Sequence, residues 1–124
     1  MNGLKPFFYL MEFEIKHKIW LERNGELLMG KGHAEILQAL TSNPSLRQVA
    51  KQRKISYSKA WKLMKQLNQK ATSPVVVMET GGKLGGQTTL THFGQKLLAY
   101  YWQTHQQYAA FLEKEINSNK SNND

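Results

Sequence analysis

The sequence predicts an α+β fold, mainly α, in which a basic helix leads into a glycine-rich hairpin. Three observations predict it. Residues 56–70, SYSKAWKLMKQLNQK, place Tyr57, Ala60, Trp61, Met64 and Leu67 on one side of a helical wheel. Residues 12–29 alternate apolar with charged side chains and contain an Asn24-Gly25 pair, the pattern of a β-hairpin. Residues 75–78 are Val-Val-Val-Met and run into the loop GGKLGG at 81–86, a β-branched strand followed by residues that tolerate positive φ.

The 124 residues suffice for one domain with one core, and 40% hydrophobic content is that of an ordinary soluble globular chain. There is no cysteine, which excludes disulfides, thiolate nucleophiles and cysteine-type zinc sites and suits a reducing cytosol. The apolar run Phe7 to Met11 is too short for a signal-peptide core or a membrane span, so the expected location is cytoplasmic.

Taken in order, residues 1–11 read as a leader in which Phe7, Phe8 and Tyr9 need cover. From Glu12, Phe13, Ile15, His17, Ile19 and Leu21 share one face of an expected strand, and Glu26 to Met29 return as its partner. Gly30 and Gly32 break the chain. Ala34, Ile36, Leu37 and Leu40 then give a helix over about 33–42, stopped by Ser42-Asn43-Pro44. Ser45 caps a short second helix whose Leu46, Val49 and Ala50 point inward, and Ile55 closes the turn after it. Ser56 then caps the basic helix. Thr88, Thr89 and Leu90 form a brief strand opposite 75–78, with Lys83 at the tip between them. Thr91 caps a last helix from about His92 to Ile116, whose aromatic and aliphatic residues occupy more than one stripe. The excess predicts a second covered face, most simply a homodimer through Leu98, Tyr101, Trp102, Tyr108, Phe111 and Leu112. Residues 117–124 are polar, without periodicity, and read as a disordered tail. Two short helices, a tight turn and a basic hairpin make up a winged helix-turn-helix with an N-terminal β-hairpin, spanning 12–116 with its long C-terminal dimerisation helix.

Charge is the sharper signal. Residues 1–46 carry five Lys/Arg and five Glu, and residues 84–124 carry three of each sign. Between them Arg47, Lys51, Arg53, Lys54, Lys59, Lys62, Lys65, Lys70 and Lys83 face the single carboxylate of Glu79, so the whole net charge of +8 lies in the middle third. A helix built only for solubility mixes signs along its wet face. Here a polyanion supplies the missing charge, the footprint of nucleic-acid binding; the alternative is a solvated basic face with no partner. Catalytic constellations are missing. Glu79 is the only carboxylate between Ile36 and Leu112, which leaves no acid–base pair there. His17, His33, His92 and His105 never fall at the i,i+4 spacing of helical metal ligands, and Leu84 after Lys83 breaks a phosphate-loop pattern. No enzyme, metal or cofactor is expected.

The run ISYSKAW (55–61), then LNQ (67–69), METGGKLGG (78–86) and LTHFGQKLL (90–98), resembles the N-terminal DNA-binding domain of ModE-type, molybdate-responsive bacterial transcription regulators. The charged strand, hairpin turn and GKGHAEILQAL of the front half are similar as well, so the resemblance covers about 12–112. It implies a winged helix-turn-helix, dimerisation helped by the last helix, and control at palindromic operators. The small β-barrel domains that bind molybdate in such regulators have no counterpart before Asp124, so molybdate binding is not expected.

The expected function is therefore sequence-specific binding of double-stranded DNA by a nucleoid-associated homodimer. The helix at 56–70 enters the major groove, and the wing at 80–88 lies on the backbone or minor groove. Ser56, Tyr57, Ser58, Lys59 and Lys62 are placed for groove contacts, with Lys65 and Gln66 further along. Arg47, Lys51, Arg53, Lys54 and Lys83 are expected on phosphates. The position of Tyr57 and Trp61 on the apolar face makes them core residues, with base stacking as the alternative. Two other functions fit the pattern: architectural DNA or RNA binding without operator choice, and a protein–protein adaptor using the aromatic last helix.

Overall fold

The structure is a computed structural model describing residues 12, 15–81 and 86–123, with side chains as far as Ile116. The leader, Phe13, Lys83 and the rest of the wing tip lie outside the described residues. Two compact units are present, one of residues 19–102 and the other of the flanking segments up to Lys18 and from Gln103.

In the larger unit, β1 (Leu21–Arg23) pairs antiparallel with β2 (Glu26–Met29) in the register Leu21↔Met29, Glu22↔Leu27, Arg23↔Glu26. The turn is the expected one, with φ of 54° at Asn24 and 78° at Gly25. The strand predicted from Glu12 is corrected: the ladder begins at Leu21, and residues 15–20 belong to no strand. The partner strand explains this, since β2 is four residues long before Gly30, and alternation without a partner satisfies no backbone group. Ile15 and His17, expected to face inward, are exposed, whereas Ile19 and Leu21 pack on the core.

α1 (Lys31–Ser42) starts two residues before the expected 33 and buries Ala34, Ile36, Leu37 and Leu40. Its first turn is held by the Gly30 N–H, which donates to His33 Nδ1 at 3.1 Å. α2 (Leu46–Gln52) begins at Ser45, whose hydroxyl accepts from Gln48 N–H, and buries Leu46, Val49 and Ala50. α3 (Tyr57–Lys70) begins at Ser56, whose hydroxyl accepts from Lys59 N–H at 3.0 Å. It buries Ala60, Met64 and Leu67, of which Met64 and Leu67 alone contribute about 1.5–3 kcal/mol each from apolar burial.

β3 (Val76–Glu79) and β4 (Gln87–Leu90) pair antiparallel from Val76↔Leu90 to Glu79↔Gln87. Val76 and Thr88 face the core while Val77 and Thr89 face out. The Thr88 N–H donates to the Pro44 carbonyl at 2.7 Å, tying this hairpin to the connection between α1 and α2. α4 (His92–Asn123) is capped as expected by Thr91, whose Oγ1 accepts from Gly94 N–H and donates to the Pro74 carbonyl. Gly94 is required by close approach: a Cβ there would lie 2.1 Å from the Val75 carbonyl oxygen. α4 continues to Asn123, not Ile116, so the polar segment expected as a tail is helical in its backbone. Once a helix is running, each added residue costs little, and 117–123 contain neither Gly nor Pro to stop it.

His33 gives the fold a pH dependence. Burial, and then the nearby positive charge of Lys70, hold its imidazole below the ordinary histidine pKa, in the neutral form that accepts from Gly30. The unfolded chain therefore binds the proton more readily. The contribution is complete above the unfolded value of about 6.5 and is lost as pH falls through the lower folded value. In denaturant titrations between about pH 7.5 and 5.5, wild type should lose more unfolding free energy than His33→Gln. Equal losses would remove His33 as the cause.

Candidate nucleic-acid interface

α3 is aimed by contacts at both ends. At its C-terminus Arg23 donates from its guanidinium to the Lys70 carbonyl at 3.0 Å, and the Asn68 side chain clamps the start of β3. Asn68 Oδ1 accepts from Val75 N–H (2.7 Å) and Val76 N–H (3.0 Å), and its Nδ2 donates to the Val76 carbonyl (2.8 Å). One carboxamide thus satisfies three backbone groups and sets where the wing leaves α3. At the N-terminus the turn from α2 is a Schellman closure: Lys54 N–H donates to the Lys51 carbonyl and Ile55 N–H to the Ala50 carbonyl. Ile55 packs on the core, as expected for the residue closing the turn. Lys54 itself is left-handed, with φ of 60°.

The outward face of this frame is cationic. Arg47, Lys51 and Lys54 are exposed on α2 and the turn, and Ser58, Lys59, Lys62, Lys65 and Gln66 are exposed on α3. Among the described residues of 47–70, Arg53 is the one cation paired with a carboxylate, through Glu35 at 2.9 Å. Arg53 thus ties the turn to α1 through Glu35, which lies outside the basic third. Ser56 spends its acceptor on the helix cap but keeps its O–H to donate.

The two aromatic residues of α3 differ. Trp61 is half-buried against the core, with Lys65 Nζ 4.8 Å from its ring centroid. Tyr57 is corrected from a core residue: it is 36% exposed, and the Arg47 guanidinium carbon sits 4.1 Å from its ring centroid. Position 57 is the first residue of α3, where the wheel overstates burial because the helix has just left the turn. A shallow cleft runs between α2, α3 and the wing, lined by Arg47, Gln48, Tyr57 and Trp61 on one side and Glu79, Thr80 and Gly86 on the other. Gly86 serves close approach, since a Cβ there would lie 1.8 Å from the Glu79 carbonyl oxygen. Lys83 lies outside the described residues.

The expected dimer residues divide in the same way. Leu98 and Tyr101 are corrected: both are buried in the protomer's own core, Tyr101 completely, with its hydroxyl donating to the Ile19 carbonyl at 3.0 Å. Their spacing on α4 is common to an intramolecular and an intermolecular face, so the wheel does not separate the two. Trp102 and Leu112 are half-buried, while Tyr108 and Phe111 are exposed, as is Tyr100, which was not singled out. Arg23 and Asn68 were also missed. The signal for Asn68 was an amide, a poor interior helix former, one turn from the end of an otherwise favourable helix. Among the described residues, no three His, Cys, Asp or Glu side chains converge to hold a metal.

Several known proteins are similar to part of the chain. No family model matches the chain. The molybdenum transport protein ModE of Azotobacter vinelandii is 33% identical over 79 residues, 64% of this chain and 29% of that protein. The molybdenum-pterin-binding protein MopB of Rhodobacter capsulatus is 37% identical over 81 residues, 65% and 30% of the two chains. The DNA-binding transcriptional dual regulator ModE of Escherichia coli is 38% identical over 66 residues, 53% and 25%. The chain thus spans between a quarter and about three-tenths of the length of these relatives. Among solved structures, Lactococcus lactis ZitR, a zinc-responsive MarR family member, superposes with a TM-score of 0.53 at 18% identity, covering 91% of this chain and 78% of that one. A point mutant of the same protein gives 0.57 at 20% identity, covering 94% and 82%.

The left-handed Lys54 yields a stability prediction. A non-glycine residue in this region costs about 1–2 kcal/mol, partly offset by the greater unfolded freedom of glycine. Lys54→Gly should raise the unfolding free energy by about 0.5–1 kcal/mol in a denaturant titration. A loss instead would show that the lysine side chain more than compensates its backbone. In fold the chain is a winged helix-turn-helix, and over the matched residues it is similar in sequence to ModE and MopB proteins.

Proposed function

We propose that the chain is a sequence-specific, double-stranded DNA-binding transcription regulator that acts as a homodimer and catalyses nothing. The observation that carries this is the face of α2, the turn and α3. Arg47, Lys51, Lys54, Lys59, Lys62, Lys65 and Lys70 carry no carboxylate partner among the described residues, on the helix pair that winged helix-turn-helix regulators present to DNA. Homology to regulators, one of them described as DNA-binding, supports the same reading.

α3 enters the major groove. Ser56, Ser58, Lys59 and Lys62, on its first turns, are closest to base edges, and Lys59 and Lys62 donate to guanine O6 and N7. Arg47, Lys51 and Lys54 hold the flanking phosphates, and the wing, with Lys83, follows the backbone or the adjacent minor groove. Two copies pair through α4, where Tyr108 and Phe111 expose more than half of their surface and Trp102 and Leu112 stay partly open. The half-sites then lie about 34 Å apart, or a multiple of it. No helix among the described residues is long and apolar enough to cross a membrane, which fits a cytoplasmic protein working on the nucleoid.

Selection of bound sequences from a random duplex pool tests this directly: a palindrome is expected, and an unbiased pool would favour architectural binding. Within the selected site, Lys62→Ala should relax preference at one base position, worth about 1–3 kcal/mol of discrimination. Lys51→Ala should weaken all sequences alike and lower the salt slope by about one unit. Uniform loss in both variants would remove Lys62 from readout.

A further inference from the structure

The two arginines of the basic third are held in opposite ways. Arg53 engages Glu35 through a guanidinium nitrogen at 2.9 Å, so the N–H edge that would grip an anion is partly occupied and its charge is partly offset. Arg47, the second residue of α2, makes no ion pair among the described residues. Instead its guanidinium carbon lies 4.1 Å from the ring centroid of Tyr57, the first residue of α3. A guanidinium held by its face keeps all five N–H donors on its rim available, in the fork that fits two oxygens of a phosphate. The ring also fixes a side chain that otherwise samples many rotamers, so less freedom is lost when the anion arrives. Tyr57, for its part, keeps only 36% of its surface exposed, and the guanidinium shares that surface.

We propose that Tyr57 is a positioning residue: its ring holds Arg47 by the face, so that the guanidinium edge meets one backbone phosphate where α2 and α3 converge. This rests on the DNA-binding reading and changes the role of Tyr57 within it, from a group that touches bases to one that acts through Arg47. The cleft beside the pair carries Glu79 on its wing side, which leaves the outward rim of the guanidinium as the anion's approach. Arg53, though equally basic in the sequence, contributes no such contact.

The test is a double-mutant cycle on duplex affinity over a range of salt, using the full chain and a fixed duplex. Tyr57→Phe should bind within about twofold of wild type, because the ring face is retained. Tyr57→Leu and Arg47→Ala should each lose about tenfold, and the double variant should lose little more than either alone. Arg53→Ala should leave the salt slope unchanged, whereas Arg47→Ala lowers it by about one unit. Additive losses at Tyr57 and Arg47, or wild-type affinity in Tyr57→Leu, would overturn the proposal. If Tyr57→Leu does not fold, Arg47→Lys carries the test: an ammonium neither stacks nor forks in the same way, so its loss should approach that of Arg47→Ala, and wild-type affinity would refute the clamp. A wild-type protein whose duplex binding ignores salt would refute the DNA-binding reading itself, before any variant is compared.

Discussion

The carboxamide of Asn68 accepts from Val75 and Val76 and donates back to Val76, and through those three bonds the end of α3 and the start of the wing become one rigid corner. The rest of the basic frame depends on anchors of the same kind. Ser56 caps the front of α3 with a hydroxyl, Arg23 caps its rear by reaching a backbone carbonyl, and Thr91 fastens α4 to Pro74 and Val75. None of these contacts uses a carboxylate. A protein that oriented α3 by ion pairs would neutralise the charge it presents; this one orients the helix with an amide, hydroxyls, main-chain groups and a guanidinium bound to a carbonyl. The seven unpaired cations between Arg47 and Lys70 are thus held in place at full charge.

The exception shows the logic. Arg53 is paired, and its partner Glu35 comes from α1, outside the basic third. An exposed pair of this sort is worth at most about 1 kcal/mol. On the proposed DNA-binding reading it also engages one cation of the surface at the turn where α2 hands over to α3. Arg47, with its guanidinium carbon 4.1 Å from the Tyr57 ring centroid and no carboxylate partner among the described residues, is the counterpart. Two arginines six residues apart therefore sit in different surroundings, which net charge alone does not reveal.

Features governed by neighbours in the chain were legible from sequence. α3 and its Ser56 cap, the Asn24-Gly25 turn, the Thr91 cap and the glycine-bounded wing each depend on a few consecutive residues. Features decided by distant partners were not. The strand expected from Glu12 shrinks to Leu21–Arg23 because its partner is short, a fact written at Gly30 and not in the alternation itself. Leu98 and Tyr101 share the spacing of a dimer seam but spend it on the core, and Tyr57 sits on the apolar side of the wheel but at the open end of the helix. In the candidate site, the free lysines were readable from charge segregation. The Glu35–Arg53 pair, spanning eighteen residues, and the left-handed backbone of Lys54 were not.

The proposed role of this face is to fit a phosphate backbone, and the most direct test is the affinity of the wild-type protein for duplex DNA as salt is raised. Each phosphate neutralised contributes a slope of about −0.9 in log affinity against log salt. Affinity should therefore fall by at least about a hundredfold between roughly 50 and 200 mM salt. An affinity that stays level across that range, or no duplex binding at the low end, would contradict the account.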